Sequence, residues 1–436
     1  MSRFAFACLL LGACTLTHDD PPPPTPTSSM IEVATYPAIP TSKLDILFQV
    51  DNSPSVADVQ QAFVGALPDF LAAIDVNGRP DLHIGVVNSD LGTSASTTPP
   101  APALGNRAGE GFAGNLQVSN APVSGTFISD VSVEGPVGRN VNYTGDLVSA
   151  LGTMLKVGAV GCGFEQQLRA TREALDGNSN NAGFARSDAN LLVVVLTDED
   201  DCSVRDSAMF QASAELGTVQ SFRCTRFGVT CDQPLDSEGT KTNCRPDEAS
   251  AYVDGIQSYT DFFSSLRGDR ARTAVAVIAA PPTPFAVELR TLAGTHTSEL
   301  ALAHGCDWEG STGPEVGDPG VRLAALTDQL QSHGLFHTVC QQNQRQHARE
   351  IVNLANQMAG IACLDTRAVD ATLCDVTVDG ASGTRKIPAC DGAATDCFEL
   401  VTDAAACPTT VDNTRLVTHL SSPTSDEYVR VSCSQR

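Results

Sequence analysis

Asp51, Ser53 and Ser55 occupy alternate positions in the string FQVDNSPSVADVQ. One carboxylate and two hydroxyls at this spacing on a turn converge hard oxygen ligands on a single divalent ion, which keeps open positions for water or for an oxygen of another molecule. A second acidic group, Thr197-Asp198-Glu199-Asp200-Asp201, follows the apolar run NLLVVVL. Asp and Ser at a strand-to-helix turn also serve as plain helix caps. Here the context points to ligation: an apolar strand before the motif, a helix after it, and a second apolar strand ending in TDED. Glu199, Asp200 and Asp201 read as a solvated acidic loop, with residues that raise the field at such a site as the alternative. Catalysis is not expected. The chain holds no GxSxG, HExxH or P-loop string, its eight His show no metal-ligand spacing, and Asp51 lacks both a second carboxylate two positions on and a nearby Lys.

The elements that must position these residues alternate. Short apolar runs at 44–50, 81–88, 190–196 and 273–280 read as buried strands, bounded by turn formers such as Asp51 to Pro54. Helical spacing fits 56–74, with a kink at Pro68, and the stretches 145–157, 165–176, 318–332 and 344–359. Apolar strands separated by helices predict an α/β fold with a doubly wound, mostly parallel sheet covered on both faces. In such sheets ligands bind past the C-terminal ends of the strands, where both acidic groups fall.

With these residues in place, DILFQVDNSPS followed by LLVVVLTDEDD resembles a von Willebrand factor A-type (vWA) domain with its metal-ion-dependent adhesion site, over about residues 43 to 363. The resemblance implies that Asp51, Ser53, Ser55 and Asp198 hold Mg²⁺ (or Mn²⁺ or Ca²⁺), and that a carboxylate of a partner protein fills a remaining position. It also implies a Thr ligand from a second loop, which this chain lacks. The corresponding segment reads Gly161-Cys162-Gly163-Phe164-Glu165, so Cys162 or Glu165 stands nearest the missing Thr. Glu165 would supply an oxygen there, or would only complement the dipole of the helix that it opens. The expected work is therefore cation-dependent protein binding. A structural or assembly module with a vestigial site is the alternative, and a metal-dependent hydrolase ranks below both.

The remainder of the chain sets location. Residues 1–13 carry one basic residue, Arg3, and an apolar run too short to span a bilayer, which reads as a secretory signal. Its end, Leu11-Gly12-Ala13-Cys14, resembles the lipobox of bacterial lipoproteins, so Cys14 is the expected lipidated residue. A Pro-rich tether follows over 14–36, then the vWA-like domain over 37–363 with a disulfide-pinned insertion at about 202–250, and a Cys-rich β module over 364–436. This order predicts a lipid-anchored protein of the bacterial envelope, periplasmic or surface-facing on the outer membrane, which meets the membrane only through its lipid. Fifteen cysteines indicate an oxidising compartment. With Cys8 in the signal and Cys14 lipidated, an odd thirteen remain; Cys306 with Cys340 and Cys162 with Cys202 are the candidate pairs, Cys202 having Cys224, Cys231 and Cys244 as alternatives. The net charge of −24 excludes nucleic acid as a partner.

Overall fold

The runs LDILFQV, NLLVVVL and TAVAVIA have almost no polar face, and all three become strands buried on both sides. The computed structural model describes residues 29–93, 111–133, 138–291, 298–311, 313–392 and 394–436. The signal segment, Cys14 and the tether up to residue 28 lie outside the described residues. In chain order the elements used below are β1 (Met30–Pro37), β2 (Lys43–Val50), α1 (Ala57–Asp75), β3 (Asp81–Asn88), β4 (Ile128–Ser132), β5 (Arg139–Val141), α2 (Leu147–Met154), α3 (Gln167–Leu175), β6 (Asn190–Leu196), α4 (Phe222–Gly228), α5 (Ile256–Ser265), β7 (Thr273–Ala279), α6 (Val321–Leu330), β8 (Gly334–Thr338), α7 (Arg345–Met358), β9 (Val369–Gly380), β10 (Gly383–Ile387) and β11 (Tyr428–Gln435).

Seven strands form one sheet in the order β8-β7-β6-β2-β3-β4-β5. The five from β8 to β3 are parallel, and β4 and β5 add antiparallel at one edge. Side chains alternate along each strand, so one sheet feeds two cores. Ile46, Phe48, Leu192 and Val194 face α1, α2 and α7, whereas Leu47, Leu191, Val193 and Val195 face α3, α5 and α6. Phe48 of β2 meets Phe63 and Phe70 of α1 with ring centroids 5.6 Å apart. Each such buried ring contributes on the order of 2 kcal/mol, which fixes α1 and therefore the turn that precedes it. Pro68 sits inside α1, which runs unbroken across it. The one carboxylate within the apolar run of β2, Asp45, is paired with Arg186 at 2.8 Å and Arg267 at 3.3 Å.

Six disulfides are present: Cys202–Cys224, Cys231–Cys244, Cys306–Cys340, Cys363–Cys407, Cys374–Cys433 and Cys390–Cys397. Cys202 is thus bonded to Cys224 and not to Cys162, which packs beside that bond with Phe164, Val204 and Phe210. The bond closes a loop within the insertion and does not link the two site loops covalently. The tether assignment also needs correction at its end. MIEVATYP, placed in the tether, is β1, and it pairs antiparallel with β11 in a second sheet ordered β1-β11-β9-β10. Its alternating apolar residues, Ala34 and Tyr36 among them, enter the core of the C-terminal module. That module therefore joins both ends of the described chain. Helix α5, edge strand β8 and the β4–β5 pair were not expected; β8 is only half-buried and carries no apolar run.

His333, in the turn before β8, is buried at 2 % exposure, and burial pushes its imidazole down from 6.5 to about 4. The unfolded chain takes up this proton near pH 6.5 and the folded chain only near 4, so the contribution is intact above 6.5 and falls away between those values, by up to about 3 kcal/mol. Urea unfolding at pH 7 and pH 4.5 should show a smaller acid loss for His333→Leu than for the unsubstituted protein.

Candidate metal centre

Strands β2 and β6 are neighbours in parallel register, with Val50 opposite Leu196, so the residues that follow each strand emerge at one edge. The Asp51 N–H donates to the Leu196 carbonyl at 2.9 Å, which locks the two exits together. Asp51 is fully buried. Its Oδ1 accepts from the Ser53 N–H at 2.7 Å and the Ser89 hydroxyl at 3.3 Å, and its Oδ2 accepts from the Thr197 hydroxyl at 2.7 Å. Ser53 Oγ and Ser55 Oγ stand 3.2 Å apart, the first buried and the second exposed. Adjacent oxygens of an octahedral Mg²⁺ shell lie about 3 Å apart, so this pair has the spacing of neighbouring ligands.

The second loop docks on this turn. Gly161 N–H donates to the Asn52 carbonyl at 2.7 Å, Gln166 N–H to the Ser89 carbonyl at 3.0 Å, and the Glu165 carbonyl accepts from the Cys202 N–H at 2.8 Å. The Gln60 amide ties the Asp51 carbonyl to the Gly158 carbonyl at 2.9 and 2.7 Å. A Cβ on Gly161 would fall 2.3 Å from Asn52 Oδ1, so no larger residue fits the close approach of the two loops. Gly161→Ala is expected to destabilise the fold by about 1–3 kcal/mol, measurable by urea unfolding, because the buried Asn52 must move to admit the methyl group.

Charge is the distinctive property of this edge. Asp51, Glu165 and Asp198 are buried and Glu199 is half-buried beside them. Among the described residues no Lys, Arg or His forms an ion pair with any of the four. Burial, then the Asp51 charge, pushes the Asp198 carboxyl up to about 8. Burial also raises Asp51, and burial with the neighbouring Asp51 charge raises Glu165 well above the usual carboxylate range. Glu199 is raised likewise by burial and by Glu165. Asp198 Oδ1 and Glu165 Oε1 are buried oxygens without a hydrogen-bond partner among the described residues. Buried oxygens of this kind, crowded by like charge, are stabilised by a cation. No three His, Cys, Asp or Glu side chains among the described residues are placed to hold an ion by themselves.

The structure thus brings Asp51, Ser53, Ser55, Asp198 and Glu165 to one edge. It corrects the solvated acidic loop. Asp200 accepts the N–H groups of Arg322 at 2.9 Å and Leu323 at 3.1 Å, capping α6, and burial lifts it to about 6. Asp201 is buried against the Arg322 guanidinium at 2.9 Å. Only Glu199 keeps the role of an unpaired acidic residue facing the site. Three contributors were not assigned. Thr197, named in the run after β6 but given no role of its own, bridges Asp51 to the Gln167 amide at 3.0 Å. For Ser89, its place one residue past β3 was the available signal. Asp318, whose N–H donates to the Asp198 carbonyl at 2.8 Å, lies too far along the chain for any spacing to reveal it.

No protein-family model and no curated protein sequence matches the chain. Solved structures do resemble it: the pilus adhesin SpaC of Lactobacillus rhamnosus GG at 10% identity and TM-score 0.29, over 92% of this chain and 40% of that one; a von Willebrand factor type A protein of Catenulispora acidiphila at 12% identity and TM-score 0.29, over 94% and 66%; and an aerotolerance-related membrane protein of Bacteroides fragilis at 11% identity and TM-score 0.27, over 72% and 100%. The chain spans less than half the length of the pilus adhesin. The alternation of apolar strands and helices predicted an α/β fold, and a mixed sheet packed with helices, with the DxSxS turn at the end of β2, is observed.

Proposed function

We propose that this vWA-type domain is a cation-dependent protein-binding module, in which Asp51, Ser53, Ser55 and Asp198 hold Mg²⁺ (or Mn²⁺ or Ca²⁺) with Glu165 beside them, and in which an acidic side chain of a partner completes the shell. The observation that carries this reading is the set of buried carboxylates without basic partners among the described residues, beside a pair of serine hydroxyls 3.2 Å apart. When bound, the ion supplies a Lewis-acidic position open to an incoming carboxylate. This chain's own residues do the rest. Asp51 is held rigid by three donors, Ser53 and Ser55 present oxygens at a ligand spacing, and Gln60 and Gly161 keep the second loop against the first.

Electrostatics support the order of events. The protein carries −24, so a bare carboxylate is repelled from this edge until a cation offsets the local field. Binding to the partner should therefore require the ion. We read the protein as non-enzymatic and lipid-anchored at the bacterial envelope through Cys14; six disulfides favour an oxidising space, and no helix among the described residues is long and apolar enough to cross a membrane. The alternative, an envelope assembly module with a vestigial site, draws its support from Glu165 standing where the resemblance implies a Thr. Calorimetric titration of Mg²⁺, Mn²⁺ and Ca²⁺ into the protein, with Asp51→Asn alongside, separates the two. Saturable heats lost in the variant support the adhesion reading, and identical heats for both proteins favour the assembly module.

A further inference from the structure

Next to the strand edge lies a cavity of about 260 Å³, enclosed by the loop after β6, by α4, and by the hairpin of Ala286–Thr291 and Ser298–Leu302. Asp51, Ser53, Ser55 and Asp198 do not line it, whereas Glu165 does, so it adjoins the metal centre without being part of it. Its acidic lining separates into satisfied and unsatisfied groups. Asp201 is paired with Arg322, Asp200 caps α6, and Asp318 is paired with His304 at 2.7 Å. Arg290 stands opposite Glu299 in the hairpin, but its guanidinium goes to Glu288 at 2.9 Å and to the Leu302 carbonyl at 2.8 Å. Glu165, Glu199 and Glu299 are left facing the cavity with no basic partner among the described residues, the Glu165 and Glu199 carboxyls hydrogen-bonding to each other. Glu165 is 1 % exposed, and its Oε1 has no hydrogen-bond partner among those residues.

Apolar surface lines it too, from Phe222, Ala301, Leu302 and the Cys202–Cys224 bond, interspersed with the polar Gln220, Ser221, Thr225 and Thr291. A single inorganic cation needs oxygens within about 2.6 Å on several sides and has no use for such apolar surface. An arginine or lysine side chain suits such a mixed lining, because its stem covers apolar surface while its charged head forms short hydrogen bonds to carboxylates. We propose that this cleft receives an arginine or lysine side chain of the partner protein whose acidic residue is held at the metal centre, an assignment that rests on the binding function proposed above. The partner surface would then present an acidic and a basic residue side by side, and the two would be read by adjacent sites of opposite preference.

The cleft can be tested without the ion. Nα-acetyl-L-arginine amide titrated into the full chain in excess EDTA, followed by calorimetry, should bind with a dissociation constant on the order of millimolar. The uncharged isostere Nα-acetyl-L-citrulline amide should bind at least about tenfold more weakly, since it offers no charge to the carboxylates. Glu199→Gln/Glu299→Gln, two positions outside the proposed metal ligands, should show a similar loss for the arginine probe. Equal affinity of the two probes for the unsubstituted protein, or no binding of the arginine probe, overturns the assignment, and neither result depends on the double variant folding. Because EDTA removes divalent ions, this outcome is independent of the Mg²⁺ titration, and the two readings can fail separately.

Discussion

If the proposed cation site is right, saturating Mg²⁺ should stabilise this protein against heat, and Asp51→Asn is expected to remove that stabilisation while leaving the cation-free fold nearly as stable as before. A ligand that binds only the folded state stabilises it by about 2.7 kcal/mol at a concentration a hundred times its dissociation constant. The variant should lose that increment, because a neutral amide replaces the one carboxylate central to the oxygen set. Two opposing terms act on the cation-free fold. The amide keeps Oδ1 as acceptor for the Ser53 N–H and the Ser89 hydroxyl, but it places a donor where Oδ2 accepted the Thr197 hydroxyl, at a cost of about 1–3 kcal/mol. Against this, it removes a buried negative charge whose neighbours Glu165 and Asp198 are raised in part by that same charge. The gain offsets much of the cost. Melting curves in EDTA and in Mg²⁺ should therefore diverge for the unsubstituted protein and coincide for Asp51→Asn. A Mg²⁺ shift of equal size in both proteins would remove Asp51 from the site.

The second large effect lies one layer further in. Arg322 is fully buried, and its guanidinium bonds to Asp201 Oδ2 and the Asp201 carbonyl at 2.9 Å and to the Asp254 carbonyl at 2.8 Å. Arg322→Met leaves the Asp201 carboxylate buried and uncompensated, at an expected loss of about 3–5 kcal/mol in urea unfolding. The loop that carries Asp198 would lose its anchor with it, because Asp201 also accepts from the Leu168 N–H and the Ser203 hydroxyl. Arg322→Met/Asp201→Leu should recover much of the stability, since removal of both charges leaves neither one buried alone. If the single variant proves as stable as the parent, the pair does not hold this loop.

How much of this was legible beforehand varies with the kind of interaction. Strands β2, β3, β6 and β7 were readable because apolar runs of seven or eight residues buried on both faces have no polar period to confuse them. Helix α1 was readable because Val59, Phe63, Leu67 and Phe70 recur at helical spacing. Strand β1 was not. It follows a Pro-rich stretch, and only its partner β11, nearly four hundred residues later, turns MIEVATYP into a strand. The same distance effect hid Asp318, and it hid the helix cap and ion pair that Asp200 and Asp201 form with α6, about 120 residues further on.

The sequence alone therefore determined the chemistry on offer: oxygen ligands at Asp51, Ser53 and Ser55, a second acidic run at the end of another buried strand, and a sheet able to bring the two to one edge. These follow from local periodicity and side-chain type, which a linear chain displays in full. Only the tertiary structure decided which acidic residues are spoken for. Asp200 and Asp201 are neutralised by helix α6 and Arg322, whereas Asp51, Glu165, Asp198 and Glu199 share a buried edge with no basic side chain among the described residues to answer them. Whether a carboxylate is compensated depends on what lies within a few ångströms in space, and residues distant in the sequence supply most of those neighbours.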